Sequence, residues 1–140
     1  MTEPIFRVLD HTADVAIEAE ADDLDVLFAC CAAGMFSLVV EGEPAAAMEE
    51  RSLALAAHDL PELLVAWLRE LLWWQNERGW VFAGSRFQVL EPTRLEATVA
   101  GEIADAVRLR VVRELKAVTY HDLVAEERGD GWYARILFDV

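Results

Sequence analysis

Two stretches at opposite ends of the chain alternate with a period of two residues. In the first, Val15, Ile17, Ala19 and Ala21 fall on one face, and Asp14, Ala16, Glu18 and Glu20 on the other. In the second, Trp132, Ala134, Ile136 and Phe138 alternate with Tyr133, Arg135, Leu137 and Asp139. Side chains on a strand point to opposite faces in turn, so each stretch reads as a strand with one buried and one wet face. An acid opens the first stretch and an acid closes the second. If the two strands pair antiparallel, the start of one lies opposite the end of the other, and Asp14 stands beside Asp139. The plain alternative is that both are solvated strand ends that never meet.

Between these ends the pattern turns helical twice. Asp22-Asp23-Leu24-Asp25 opens a helix, its aspartates placed to cap free N–H groups and to suit the positive end of the dipole. Leu24, Leu27, Phe28, Cys31, Met35 and Leu38 then recur at helical spacing, and Ala32, Ala33 and Gly34 thin one side for close approach to a sheet. A second helix opens at Asp59-Leu60-Pro61-Glu62, a capping signature with proline in the first turn, where it loses no hydrogen bond. Its stripe is Leu60, Leu63, Leu64, Trp67, Leu68, Leu71 and Leu72, and Arg78-Gly79 marks its stop. Trp73 and Trp74 are adjacent and cannot face one layer, so one of them packs outside the stripe.

Further strands are expected at 50–57, 86–90, 93–101, 117–127 and 132–140. Arg128-Gly129-Asp130-Gly131 supplies the turn between the last two. Residues 105–116 read as either a ragged strand or a short helix. The order strand, helix, strand, helix, then a run of strands, indicates an α+β fold with two helices packed on mostly antiparallel sheet.

Composition bounds the function. The chain has 140 residues, 55% of them apolar, enough for one domain with a real core. Acids outnumber bases 26 to 12, for a net charge of −14. That argues against strong direct binding of nucleic acid, and favours cations or basic protein surfaces as partners. No apolar run reaches the length of a membrane span. Met1-Thr2-Glu3-Pro4 lacks the basic start and apolar stretch of a secretory signal, so a cytoplasmic location is expected. Cys30 and Cys31 are adjacent, which excludes a disulfide framework or a CxxC site and leaves them as small core fillers.

Three groups of residues carry candidate chemistry. Asp14 and Asp139, with Asp10 on the entering loop and the terminal carboxylate of Val140 if the chain ends there, are oxygen anions that repel unless a cation intervenes. Hard oxygen ligands favour Ca²⁺, Mg²⁺ or Mn²⁺ over zinc. Lys116-Ala117-Val118-Thr119-Tyr120-His121 places donors for a phosphate or carboxylate, or simply a lysine on a strand edge. His11 and His121 beside Asp10 and Asp14 evoke a catalytic relay, but no nucleophile motif, P-loop or HExxH accompanies them. His11 then serves to fix its turn. Arg108, Arg110 and Arg113 read as a solvated basic face balancing nearby acids.

Taken together, Asp10-His11-Thr12-Ala13-Asp14-Val15, the helix Leu63–Leu72, Lys116-Ala117-Val118-Thr119-Tyr120-His121 and the final Asp139-Val140 resemble the archease family. The likeness runs in order over essentially the whole chain. It implies a strand–helix–strand–strand module, approximately 1–45 plus 115–140, with a second similar module, approximately 46–114, inserted in it. It implies a cytoplasmic protein cofactor of the RNA-splicing ligase that promotes ligase guanylylation and multiple turnover, and is not itself a ligase. Carried over by position, it implies a metal site at Asp14, Asp139 and Val140 and a required lysine at Lys116. Asp10 and His11 match the motif without a role carried onto them, and with His121 they are candidates for a supporting part. One departure is the segment Val107–Val112, more apolar and basic here than the polar, His- and Pro-containing loop common in the family.

Three functions fit these residues: a metal-binding activator of the RNA-splicing ligase in tRNA splicing or RNA repair, holding Ca²⁺ or else Mg²⁺ or Mn²⁺; a stand-alone metal-dependent phosphohydrolase; and a chaperone-like module gripping partners through exposed tryptophan. The second needs more carboxylates than the chain displays.

Overall fold

The fold is known from a computed structural model, which describes residues 4–10, 14–43, 49–105 and 107–140. Its elements in order are β1 (Ile5–Asp10), β2 (Asp14–Ala21), α1 (Leu24–Val39), β3 (Val40–Glu41), β4 (Glu49–Ala56), α2 (Leu60–Arg78), β5 (Trp80–Glu91), β6 (Arg94–Ile103), β7 (Arg110–Val111), β8 (Ala117–Arg128) and β9 (Gly131–Asp139). The α+β expectation holds, with every strand pair antiparallel. A four-stranded sheet is built from the two ends of the chain in the order β1-β2-β9-β8. The middle of the chain forms a three-stranded sheet in the order β4-β6-β5, and β3 and β7 make a two-residue ladder.

Both helices contact strands of both larger sheets, so the helix layer lies between them. This explains α1. Asp25 is the sole charged residue within it, and its buried positions run round much of its circumference, from Leu27 and Phe28 to Gly34 and Phe36. Gly34 has the function read from the small-residue run. A Cβ there would sit 3.0 Å from Ile17 Cδ1 and 3.1 Å from Phe6 Cγ, so a larger residue would press on both side chains and glycine eases the close approach of the helix to β1 and β2.

The capping logic of α2 holds in full. The Asp59 side chain accepts a hydrogen bond from the Glu62 amide at 2.9 Å, proline stands in the first turn, and Gly79 closes the helix in the left-handed region at φ 68°. For α1 the expectation needs correction: Asp23 occupies the cap position, but its side chain makes no capping bond. At the centre of the core the Trp67 indole donates to the Phe28 carbonyl at 3.0 Å, tying α2 to α1. Phe82 and Phe87 of β5 pack on the same ring.

Four further readings change. β1 precedes the strand taken as first, and β5 begins at Trp80 rather than at Arg86. Among the described residues of 105–116 there is neither the ragged strand nor the short helix expected; only Arg110–Val111 pairs as a strand, with β3. Ala16, placed on the wet face of β2, is fully buried, flanked on that face by Leu9 of β1 and Leu137 of β9.

Candidate metal centre

The register of the four-stranded sheet decides the question left open by spacing. Asp14 and Asp139 stand directly opposite each other across β2 and β9, and Ala117 of β8 is opposite Asp139 on its other side. Lys116, one residue before β8, donates its backbone N–H to the Asp139 carbonyl at 2.9 Å. One end of one sheet thus gathers Asp14 on β2, Asp139 on β9 and Lys116 just before β8.

The two carboxylates differ in environment. Asp139 and Lys116 are exposed, while Asp14 is half-buried. Asp14 Oδ1 is shielded from solvent and has no hydrogen-bond partner among the described residues. A buried carboxylate oxygen without a partner is costly, and a cation bound there would offset that cost. Opposite it is a second acid, which adds repulsion that a cation would cancel. The chemistry of this pair fits a hard divalent cation with oxygen ligands. It does not complete one. Among the described residues no group of three or more His, Cys, Asp or Glu side chains is gathered in a metal-holding arrangement. Ca²⁺ takes six to eight oxygens, so two carboxylates leave most of its positions to water, main chain or another molecule. Val140 follows Asp139 directly and is exposed.

The remaining expected residues are not drawn into the pair. Asp10 is opposite Val15, not Asp14, and its side chain and all of His11 lie outside the described residues. His121 is exposed and lies 3.4 Å from its own neighbour Asp122. The arginine segment is a basic face balanced by acids, as expected for two of its members: Arg108 pairs with Glu102 and Asp105, and Arg110 with Glu41 at 2.5 Å. Of the adjacent tryptophans it is Trp73 that faces outward, at 52% exposure, while Trp74 packs edge-on against Trp80.

Sequence reasoning missed what supports the lysine. Arg69 of α2 donates to the Val118 carbonyl at 3.1 Å and to the Tyr120 hydroxyl at 3.2 Å, with its guanidinium 4.7 Å from the Tyr120 ring. Asn76 donates to the Leu115 carbonyl at 3.3 Å. These bonds fasten the approach to β8 onto α2 on both sides of Lys116. Arg69, Trp73 and Asn76 recur at helical spacing off the apolar stripe, which was the available signal. Another signal was compositional: Lys116 is the chain's sole lysine beside eleven arginines. A compact ammonium and a planar guanidinium are not interchangeable.

The archease protein family (MTH1598/TM1083) matches residues 6–140. The chain belongs to the archease family. It is 32% identical over 135 residues to the protein archease of Thermococcus gammatolerans, covering 94% of this chain and 95% of that one. It is likewise 32% identical over 141 residues to the protein archease of Methanosarcina mazei, covering 96% and 95%. The solution structure of Methanobacterium thermoautotrophicum protein 1598 superposes with a TM-score of 0.75 at 29% identity, over 96% of this chain and 98% of that one. A crystal structure from Thermotoga maritima, described as an archease and possible chaperone, superposes with a TM-score of 0.62 at 22% identity, over 100% and 98%, and shows the shared fold.

Proposed function

We propose that this archease is a cytoplasmic, metal-binding protein cofactor that activates the RNA-splicing ligase in tRNA splicing or RNA repair, promoting ligase guanylylation and multiple turnover. The observation that carries the proposal is the buried Oδ1 of Asp14, without a hydrogen-bond partner among the described residues and directly opposite Asp139, in a chain of this family.

Asp14 and Asp139 hold the ion, with Val140 as the third position. The ion is Ca²⁺, with Mg²⁺ or Mn²⁺ as the other candidates. When bound, it supplies positive charge and open coordination positions at the tip of the sheet. The short ligand set is then a functional feature: the remaining oxygens come from the partner, and the site is complete only in the joint complex. Lys116, held by its backbone bond to Asp139, presents its ammonium to a carboxylate or phosphate in that complex. An activator can shift the ligase only by binding its two states differently. A carboxylate pair that gains its ligands in the guanylylation-competent state provides that difference.

The test is a guanylylation assay with the RNA-splicing ligase of the same organism. Asp14→Ala and Asp139→Ala, checked for folding by circular dichroism, are expected to lose stimulation. Lys116→Arg is expected to fail where a mere requirement for positive charge would be met. Folded aspartate variants that stimulate fully overturn the proposal.

A further inference from the structure

Beside the candidate metal centre, α2 and β8 enclose a shallow depression of about 200 Å³, lined by Arg69, Trp73, Asn76 and Lys116 among others. Its composition is unlike the rest of the molecule. The chain carries a net charge of −14, yet among the described residues no carboxylate lines this depression and two cations do. Trp73 is 52% exposed and Tyr120 54%. Tyr120 does not line the depression, but an irregularity in β8 brings it against Arg69, which does. Thr119 is opposite Leu137 and Val124 is opposite Arg135, so β8 loops out between two closely spaced rungs of β9. Asp122 makes this possible by adopting φ 52°. Such irregularities re-aim side chains, and this one lays Tyr120 against Arg69. The Arg69 guanidinium has five N–H donors; the bonds to Val118 and Tyr120 leave donors facing solvent.

We propose that this aromatic and cationic face is the surface on which the ligase docks, through a carboxylate-bearing apolar segment that sets its acid against Arg69 and Lys116 and its apolar part against Trp73. Tryptophan, tyrosine and arginine are the residues that dominate binding at protein interfaces. The local inversion of charge selects an acidic partner segment, and the face is continuous with the metal centre because Lys116 belongs to both. The inference rests on the ligase reading above.

Titration of the full chain into purified cognate ligase tests it, reading both binding and the plateau of guanylylation. Trp73→Ser is expected to raise the Kd and the half-maximal concentration tenfold or more, with Trp73→Phe recovering most of the loss. Trp73 is on the surface, so the folded state is kept. Asp14→Ala instead lowers the plateau. A folded Trp73→Ser with an unchanged Kd overturns the docking face. A wild-type chain that binds through this face without stimulating overturns the functional reading and leaves the docking face standing; one that does not bind overturns both.

Discussion

Asp14→Asn is expected to stabilise the cation-free protein while abolishing its response to divalent ions. Two acids stand directly opposite across β2 and β9, and like charges so placed destabilise a sheet. Asp14 Oδ1 is also buried without a partner among the described residues, and an unsatisfied buried polar atom costs about 1–3 kcal/mol. The amide keeps the shape and still places an oxygen there, so it removes the repulsion and only part of the second cost. The expected gain is about 1 kcal/mol, or roughly 4 °C in Tm for a chain of this length. In the wild type, an ion that binds only the folded state adds about 2.7 kcal/mol at a hundredfold excess over its Kd. The ranking therefore inverts: Asp14→Asn melts higher in chelator, and the wild type melts higher in millimolar calcium. Thermal unfolding in EDTA and in calcium, magnesium and manganese chloride reads this directly. A variant that melts lower in EDTA, beside a wild type that no divalent ion shifts, refutes the reasoning.

Gly101→Ala is expected to cost about 1–3 kcal/mol by overpacking, measured by urea unfolding, because its Cβ would overlap the Trp80 indole ring. The Asp105 carboxylate is held below its ordinary range by the backbone amides of Arg108 and Val107. It therefore contributes stability above the unfolded carboxylate value, and loses it as pH falls through the lower folded one; an NMR titration of Asp105 with amide exchange across residues 107–109 checks this. Burial pushes the thiols of both Cys30 and Cys31 upward, Cys31 the further, with Cys30 adding to it. Ellman's reagent at pH 8 is expected to modify the native protein slowly and the denatured protein fast.

What was legible in the sequence was whatever depends on local chemistry or strict period. The Asp59 cap, Pro61 and Gly79 delimit α2 without help from the rest of the fold, and all three stand as read. The opposition of Asp14 and Asp139 was legible only as one of two alternatives: period two narrows the registers once the strands pair, but spacing does not say that they pair, and the β2–β9 ladder decides it. β1 was not: Ile5-Phe6-Arg7-Val8-Leu9 is apolar on both faces and lies at a sheet edge, so it lacks clean alternation. The first half of β5 was hidden for a related reason, since Trp80, Val81 and Phe82 are buried one after another and show no alternation. The Arg69–Tyr120 contact was beyond reach because it depends on the β8 irregularity, which breaks the register any pattern argument assumes. The missing bond at Asp23 belongs here as well: composition marks a cap position, but side-chain geometry decides whether the bond forms.

The location of the two acids has a consequence for how the site behaves. Asp14 and Asp139 belong to opposite ends of the chain and meet only when β2 and β9 pair. β9 in turn depends on its hairpin with β8, and β8 is fastened to α2 by Arg69 and Asn76. An ion held by both carboxylates closes one of the longest loops available in this chain, so it binds the complete fold and little else. Cation affinity should then fall when the fastening is loosened at a distance. Asn76→Ala removes the bond to the Leu115 carbonyl, which is worth about 0.5–1.5 kcal/mol, without touching either acid. If that bond helps hold the end of β8 against Asp139, the variant needs several-fold more calcium for the same rise in Tm, although its melting point in EDTA changes by only a few degrees. If calcium titrations of wild type and Asn76→Ala coincide, the two acids are held by the β2–β9 ladder alone, and α2 serves only the face that carries Lys116 and Trp73.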